Sequence, residues 1–179
     1  MAKVYLALIH NPVYNKNKKI VSTCITGVDL HDIARSGLTY GIKKYFVVNP
    51  MPAQLKFAER IINCWKQDAS FVHNWTRAEA FRLVELAADL DAVLKRLKNP
   101  VIIATSARLK GAIKFKKLRL LIKKSRRPFL ILFGTGWGMT DELFEKADYI
   151  LEPIKGISSY NHLSVRSAVA IVLDRILGG

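Results

Sequence analysis

The sequence predicts an α/β domain: a parallel-sheet α/β/α sandwich with helices on both faces. Three observations carry that reading. Short apolar runs rich in Val, Ile and Phe alternate with segments of helical periodicity along the chain. The strands that Pro100 and Pro128 open, VIIATSA at 101–107 and FLILFG at 129–134, are largely apolar, as expected of a parallel sheet covered on both faces. At 179 residues, half of them apolar, the chain suits one domain, residues 1–179, with a sizeable core.

The elements follow in order. Residues 2–10 (AKVYLALIH) and 20–25 (IVSTCI) read as strands, with a turn-rich basic loop between them. Residues 29–40 read as a helix, because Leu30, Ile33, Ala34, Gly37 and Leu38 make one apolar stripe. Asp29 is its expected N-cap and Gly41 its stop. A strand at 44–50 closes on Asn-Pro, and 52–67 is helical, with Leu55, Phe57, Ala58, Ile61, Ile62 and Trp65 inward. Residues 70–73 are expected as a short strand. Thr76 is the expected cap of a helix from Arg77, with Phe81, Val84, Leu86, Ala87 and Leu90 inward and a further turn to Lys98. Pro100 opens a strand, 115–125 is a basic helix, and Pro128 opens another strand. A short helix at 140–146, a strand at 148–153 and a helix from about His162 to Leu177 complete the chain.

The first residues, MAKVYLALIHNP, read as a strand and not as a secretory signal. No apolar run approaches the length of a membrane span. Cys24 and Cys64 have no metal-ligand spacing and are expected as buried free thiols, which suits a cytoplasmic location. The net charge is +15, and its distribution matters more than its sum. From Ala92 to Thr140 there is no Asp or Glu, while 13 of the 29 Lys and Arg residues fall there. Such a field suits a polyanion, because each neutralised phosphate releases counterions. The expected RNA-facing residues are Lys114, Lys116, Lys117, Lys123, Lys124, Arg126 and Arg127, in a run that also holds Arg108, Lys110 and Arg119. A solvated helix face or a membrane-surface patch is the alternative.

Gly134-Thr135-Gly136-Trp137-Gly138 follows a buried strand, and its glycines permit close approach of a ligand to the backbone. The spacing is G-x-G-x-G near the end of the chain, so it is not a dinucleotide fingerprint, and no Gly-Lys-Ser/Thr follows to make a phosphate loop. A plain turn at a strand end remains open. In the last helix, Leu163 to Leu177 carries three charges, Arg166, Asp174 and Arg175, and small residues at Ser164, Ser167, Ala168 and Ala170. A helix so apolar is buried on several sides.

These segments, with DLHDIARSGLTYGIKKYFVV at 29–48, resemble the SPOUT class of S-adenosylmethionine-dependent RNA methyltransferases. In the ribose-methylating branch the motifs run N-x-G-x-x-x-R, then G-x-E-x-x-G, then I-P followed by S-L-N-V-S-x-A. Here Arg35 and Gly41 match the first motif, Gly134 the second, and Pro153 with Leu163-Ser164-Val165 the third. Asp29 stands for the Asn, His31 for the Gly, Gly136 for the Glu, Ser164 for the second Asn and Arg166 for the following Ser. ATSAR at 104–108 and YNHLSVRSAVAI at 160–171 are more similar to a small bacterial subgroup that resembles tRNA (guanine-N1) methyltransferase.

The resemblance implies a C-terminal deep trefoil knot, one of the rare exceptions to unknotted topology. It implies S-adenosyl-L-methionine as cofactor, a homodimer, and tRNA or rRNA as substrate. Thr105, Ser106, Phe133, Gly134, Gly136, Leu151, Pro153, Ile154, His162, Leu163 and Val165 would form the cofactor pocket. Arg35, Glu152 and Arg166 are the expected catalytic residues, with Arg35 orienting a phosphate or hydroxyl, since guanidinium is a poor base. Asp141, Glu142, His31, Tyr160 and Asn161 are further candidates, Asp141 and Glu142 equally serving a helix dipole. The alternative to an enzyme is a non-catalytic RNA-binding protein on the same scaffold. A flavodoxin-like protein would instead bind its ligand at the early βα loops.

Overall fold

The computed structural model describes residues 1–108, 113–158 and 160–179. Lys110 lies outside them. Six parallel strands form the central sheet: β1 (Val4–Ile9), β4 (Tyr45–Val48), β5 (Val84–Ala87), β6 (Val101–Ala104), β7 (Phe129–Gly134) and β8 (Tyr149–Ile150). Their spatial order is β5-β4-β1-β7-β6-β8. Between β1 and β4 the chain makes a small antiparallel hairpin of β2 (Val13–Tyr14) and β3 (Ile20–Val21). The strand expected at 20–25 therefore shrinks to two residues and lies outside the main sheet.

The helices are α1 (Gly27–Thr39), α2 (Pro52–Lys66), α3 (Asp68–Phe81), α4 (Leu90–Leu97), α5 (Phe115–Lys124), α6 (Asp141–Glu145) and α7 (Val165–Leu177). Strand alternation sorts the core into two layers. Leu6, Leu8, Tyr45, Val47, Ile131 and Phe133 face α1, α2, α3, α5 and α7. Ala7, Ile9, Phe46, Val48, Leu130 and Leu132 face α4 and α6.

Five further expectations are corrected. Residues 70–73 lie within α3, not in a strand. The helix expected from Arg77 to Lys98 ends at Phe81, and Val84–Ala87 is edge strand β5, paired with β4. Its cap is Asn74, where α3 kinks (φ −154°, ψ 75°) and the Oδ1 accepts from Arg77 N at 3.1 Å, and not Thr76. Likewise Thr26, not Asp29, caps α1: its Oγ1 accepts from Asp29 N, and Asp29 sits in the first turn. Cys24 and Cys64 are exposed, not buried.

The strand order sets the position of the site. From β1 the chain moves outward to β4 and β5. From β7 it moves the other way, past β6, to β8. The neighbours β1 and β7 thus form a topological switch point, and ligands of open α/β sheets bind outside the carboxyl ends of strands at such a point.

Candidate active site

A cavity of about 560 Å³ opens at the carboxyl ends of β1, β6 and β7, within the range of small-molecule sites. Its walls differ in chemistry. On one side lie Phe133 to Gly138, Leu151 to Ile154 and Asn161 to Val165. Thr105, Ser106, Ala107 and Arg108 close the β6 side, and His10, Thr23, Cys24, Thr26 and Asp29 the α1 side. All eleven residues that sequence reasoning placed around the pocket line this one cavity. Glu152 and Arg166 join them.

The glycine loop is shaped by contact as well as by conformation. A Cβ on Gly134 would lie 2.6 Å from Met139 Cγ and 2.9 Å from its backbone N, so no side chain fits. Gly136 holds φ +57°, and a Cβ there would lie 3.0 Å from Tyr14 O. The hairpin braces the loop from outside, since Trp137 N donates to Tyr14 O and Tyr14 N to Gly138 O. Trp137 stays half exposed at the rim with the Arg108 guanidinium 4.8 Å above its ring.

Glu152 and Arg166 have structural partners. Glu152 Oε1 accepts from Phe115 N at 2.8 Å and so caps α5, whose first turn holds no acid of its own. Arg166 does not pair with Glu152. It reaches Asp29 and Asp32 on α1, each at 3.5 Å, and fastens α7 to α1. Arg35 is outside the cavity. It opens onto a shallow recess of about 370 Å³ shared with Asp32, Ser36, Thr39, Tyr40 and Ala170.

The remaining candidates divide cleanly. His162 lines the cavity with its ring edge-on to Tyr160, and Asn161 Nδ2 donates to Ala107 O at 2.9 Å, tying the two loops together. His31 packs edge-on against Trp65 and Phe81, and burial lowers its pKa. Glu142 pairs with Lys146, and Asp141 accepts from Tyr14 Oη. Neither lines the cavity.

Sequence reasoning missed the polar floor. His10, 1% exposed, ends β1 with Nδ1 2.9 Å from Thr23 Oγ1. Thr23 Oγ1 contacts Thr135 Oγ1, and Thr135 Oγ1 donates to Ile9 O at 3.0 Å. Burial pushes the His10 pKa down to about 4, against a smaller upward pull from Asp29. Asp29 is 7% exposed; its Oδ2 accepts from Thr26 Oγ1 at 2.6 Å. His10 Nε2 and Asp29 Oδ1 are both buried without a hydrogen bond. The 3.5 Å approach of Arg166 to Asp29 Oδ1 is a charge contact outside hydrogen-bond range.

Comparison with known proteins gives this site a context. The model of the SAM-dependent RNA methyltransferase family matches residues 3–178. An uncharacterized Aquifex aeolicus protein is 45% identical over 97% of this chain and 87% of its own. A tRNA (guanine-N(1)-)-methyltransferase of Oleidesulfovibrio alaskensis is 36% identical over 98% of this chain. The match spans 42% of that longer protein. A probable methyltransferase from Bordetella pertussis has a similar structure at TM-score 0.67 and 14% identity, covering 98% of this chain and 92% of its own. The SpoU methyltransferase AviRb of Streptomyces viridochromogenes, solved with AdoMet, gives TM-score 0.58 at 15% identity over 98% of this chain and 57% of its own.

Proposed function

The chain belongs to the SAM-dependent RNA methyltransferase family and takes its methyl group from S-adenosylmethionine, and from that premise we propose that it methylates a nucleotide of tRNA or rRNA in the cavity between the β1 and β7 strand ends. The observation that carries this reading is the contrast within that one cavity. A wall of glycine, backbone and apolar side chains faces a floor of buried polar groups.

The residues present fit the cofactor. Adenine and the thioether need apolar walls and backbone hydrogen-bonding groups, not charges. Phe133, Leu151, Ile154 and Val165 supply the walls, and Gly134 and Gly136 let backbone come close. When bound, the cofactor supplies a methyl group on a positively charged sulfur. The chain then has to hold the acceptor in line with that methyl, keep water out, and accept a proton where the acceptor carries one. Glu152 sets the start of α5 against the cavity rim, and Arg166 keeps α1 and α7 together beneath it. Both are positioning roles.

Substrate capture falls to the exposed cations. Lys114, Lys116, Lys117, Lys123, Lys124, Arg126 and Arg127 are all exposed along and beyond α5. Trp137 at the rim offers a face for a stacked base. The trefoil knot is part of this reading. Leu151 to Ile154, after edge strand β8, and Asn161 to Ser164, before α7, line the cavity beside the loop after β6, which Asn161 bonds, and α7 packs on α1 and α5. A homodimer is proposed as well. The recess that holds Arg35 lies between α1 and α7, and from there Arg35 would serve the site of a second copy.

The tRNA guanine activity named for the 36% identical relative belongs to a protein more than twice as long as the match. Mass spectrometry of nucleosides from tRNA and rRNA, with and without the gene, is expected to lose one methylated nucleoside. No loss in either class, with S-adenosylmethionine binding intact by calorimetry, would sink the RNA reading while leaving the cofactor site.

A further inference from the structure

The polar floor has a direction that the hydrogen-bond chain fixes. Thr135 has one hydroxyl proton and gives it to Ile9 O. Its oxygen is then the acceptor for Thr23, whose proton is spent in turn. The Thr23 oxygen must therefore accept from His10, which puts the proton on Nδ1. The reverse orientation makes one bond fewer and buries an Nε2–H donor without an acceptor, the costlier kind of orphan. His10 Nε2 is thus a bare lone pair, buried without a partner in a residue that lines the cavity, with the Asp29 carboxylate lining the same floor. No protein donor among the described residues hydrogen-bonds Nε2, and Asp29 Oδ1 meets only the Arg166 guanidinium, at 3.5 Å.

Resting on the methyltransferase reading, we propose that His10 Nε2 is the base that takes the proton from the acceptor nucleotide, and that the acceptor is an N–H of a nucleobase. The acceptor nitrogen forms a bond to the methyl carbon, the carbon–sulfur bond breaks with its electron pair going to sulfur, and the proton on nitrogen passes to Nε2. The resulting imidazolium is stabilised by the Asp29 carboxylate and returns its proton to water on product release. Burial makes this imidazole a weak base, so the proton it takes must come from a group that turns acidic as its bond to carbon forms, as a nucleobase N–H does when it is methylated. A ribose hydroxyl is far less acidic and would need a stronger base. Thr23 and Thr135 act through His10 by holding its tautomer, as positioning residues.

The other titratable groups facing this space are Cys24 beside Thr23, Asp29 from α1, Arg108 after β6, Glu152 after β8, and His162 and Arg166 at the start of α7. Two measurements decide the proposal. Nitrogen-15 NMR of histidine-labelled wild type at pH 7, with His10→Gln for assignment, is expected to show Nδ1 protonated and Nε2 bare. An Nε2–H tautomer or an imidazolium overturns it. Single-turnover transfer of tritiated methyl to total RNA from cells lacking the gene is expected to fall about 10²–10⁴-fold in His10→Gln and His10→Asn. Calorimetric affinity for S-adenosylhomocysteine should move less than about threefold, which also shows that the variants fold. Transfer kept within about threefold overturns the role of His10 alone. An affinity loss as large as the rate loss makes His10 a cofactor contact instead. A methyl found on ribose overturns the nucleobase assignment, and a wild type that transfers nothing overturns the RNA reading itself.

Discussion

The two walls of the cavity are built on opposite principles. Most of the C-terminal wall, Phe133, Gly134 and Gly136 with Leu151, Pro153, Ile154 and Leu163 to Val165, is apolar or small, and offers the shape of its backbone. The N-terminal wall, His10, Thr23 and Asp29, is polar, with His10 and Asp29 buried and two of their acceptor atoms without a hydrogen bond. A cofactor common to a family can be held by shape. A reacting nucleotide has to exchange a proton, and that requires a group whose protonation the fold controls. The difference teaches which wall to attack in order to separate binding from chemistry.

The largest thermodynamic effect is expected on the polar wall. Folded His10 titrates at about 4, against 6.5 for the ordinary side chain. Above pH 6.5 it is neutral in both folded and unfolded chains and adds no pH dependence. As pH falls from 6.5 to 4 the unfolded chain takes up a proton that the folded chain refuses. About 3 kcal/mol of stability is lost across that window. Urea unfolding at pH 7, 5.5 and 4.5 should show this loss in wild type and much less of it in His10→Gln. A remainder belongs to His31, whose pKa burial also lowers. Equal slopes in the two proteins would mean that His10 is not a neutral buried base.

On the shape wall the expected effect is smaller and of another kind. Gly136→Ala forces a Cβ into a left-handed conformation 3.0 Å from Tyr14 O, at about 1–2 kcal/mol. Because the same loop forms the cavity wall, affinity for S-adenosylhomocysteine should fall about tenfold, the binding equivalent of about 1.4 kcal/mol. The limb of stability between pH 6.5 and 4 should be unchanged. Calorimetry and the urea series together test that separation, and a variant that shifts both would show the walls to be one mechanical unit.

These two walls also differ in how far the sequence revealed them. The C-terminal wall is contiguous, so glycine spacing and the Leu163-Ser164-Val165 run were readable, and all eleven expected lining residues do line the cavity. The polar wall is assembled from the end of β1, the approach to α1 and the start of the glycine loop. No local pattern marks His10, because a lone histidine after an apolar run resembles any strand end. Asp29 read as a cap because Thr26 lies three residues earlier, and either residue type caps a helix. The error at 77–98 has a similar origin. Phe81, Val84 and Leu90 keep helical spacing, and the turn at Arg82 and Leu83 has neither Gly nor Pro to announce β5. Pairing with β4 decided that segment, and pairing is not local.

The smallest effect concerns the helix that joins the site to the basic surface. Helix α5 opens near the cavity, where Glu152 holds Phe115 N, and runs about 15 Å toward the amino ends of the strands, where Ile122 O accepts from Ala2 N. Lys114, Lys116 and Lys117 crowd its N-terminal turn, where the helix dipole disfavours cations and no local acid offsets them. Glu152 supplies the missing negative charge from another strand, so the arrangement keeps cations at the rim in spite of the dipole. If RNA enters there, replacing these three lysines with alanine should weaken binding of bulk tRNA. It should also flatten the dependence of log affinity on log salt by about one for each phosphate no longer neutralised. The same treatment of Lys123, Lys124 and Arg126 at the far end should change the slope less. Filter binding across a salt series compares the two sets directly. Equal slopes would extend the RNA footprint along the whole helix, while a far-end set with the larger effect would move RNA entry away from the cavity and the exposed Trp137 beside it.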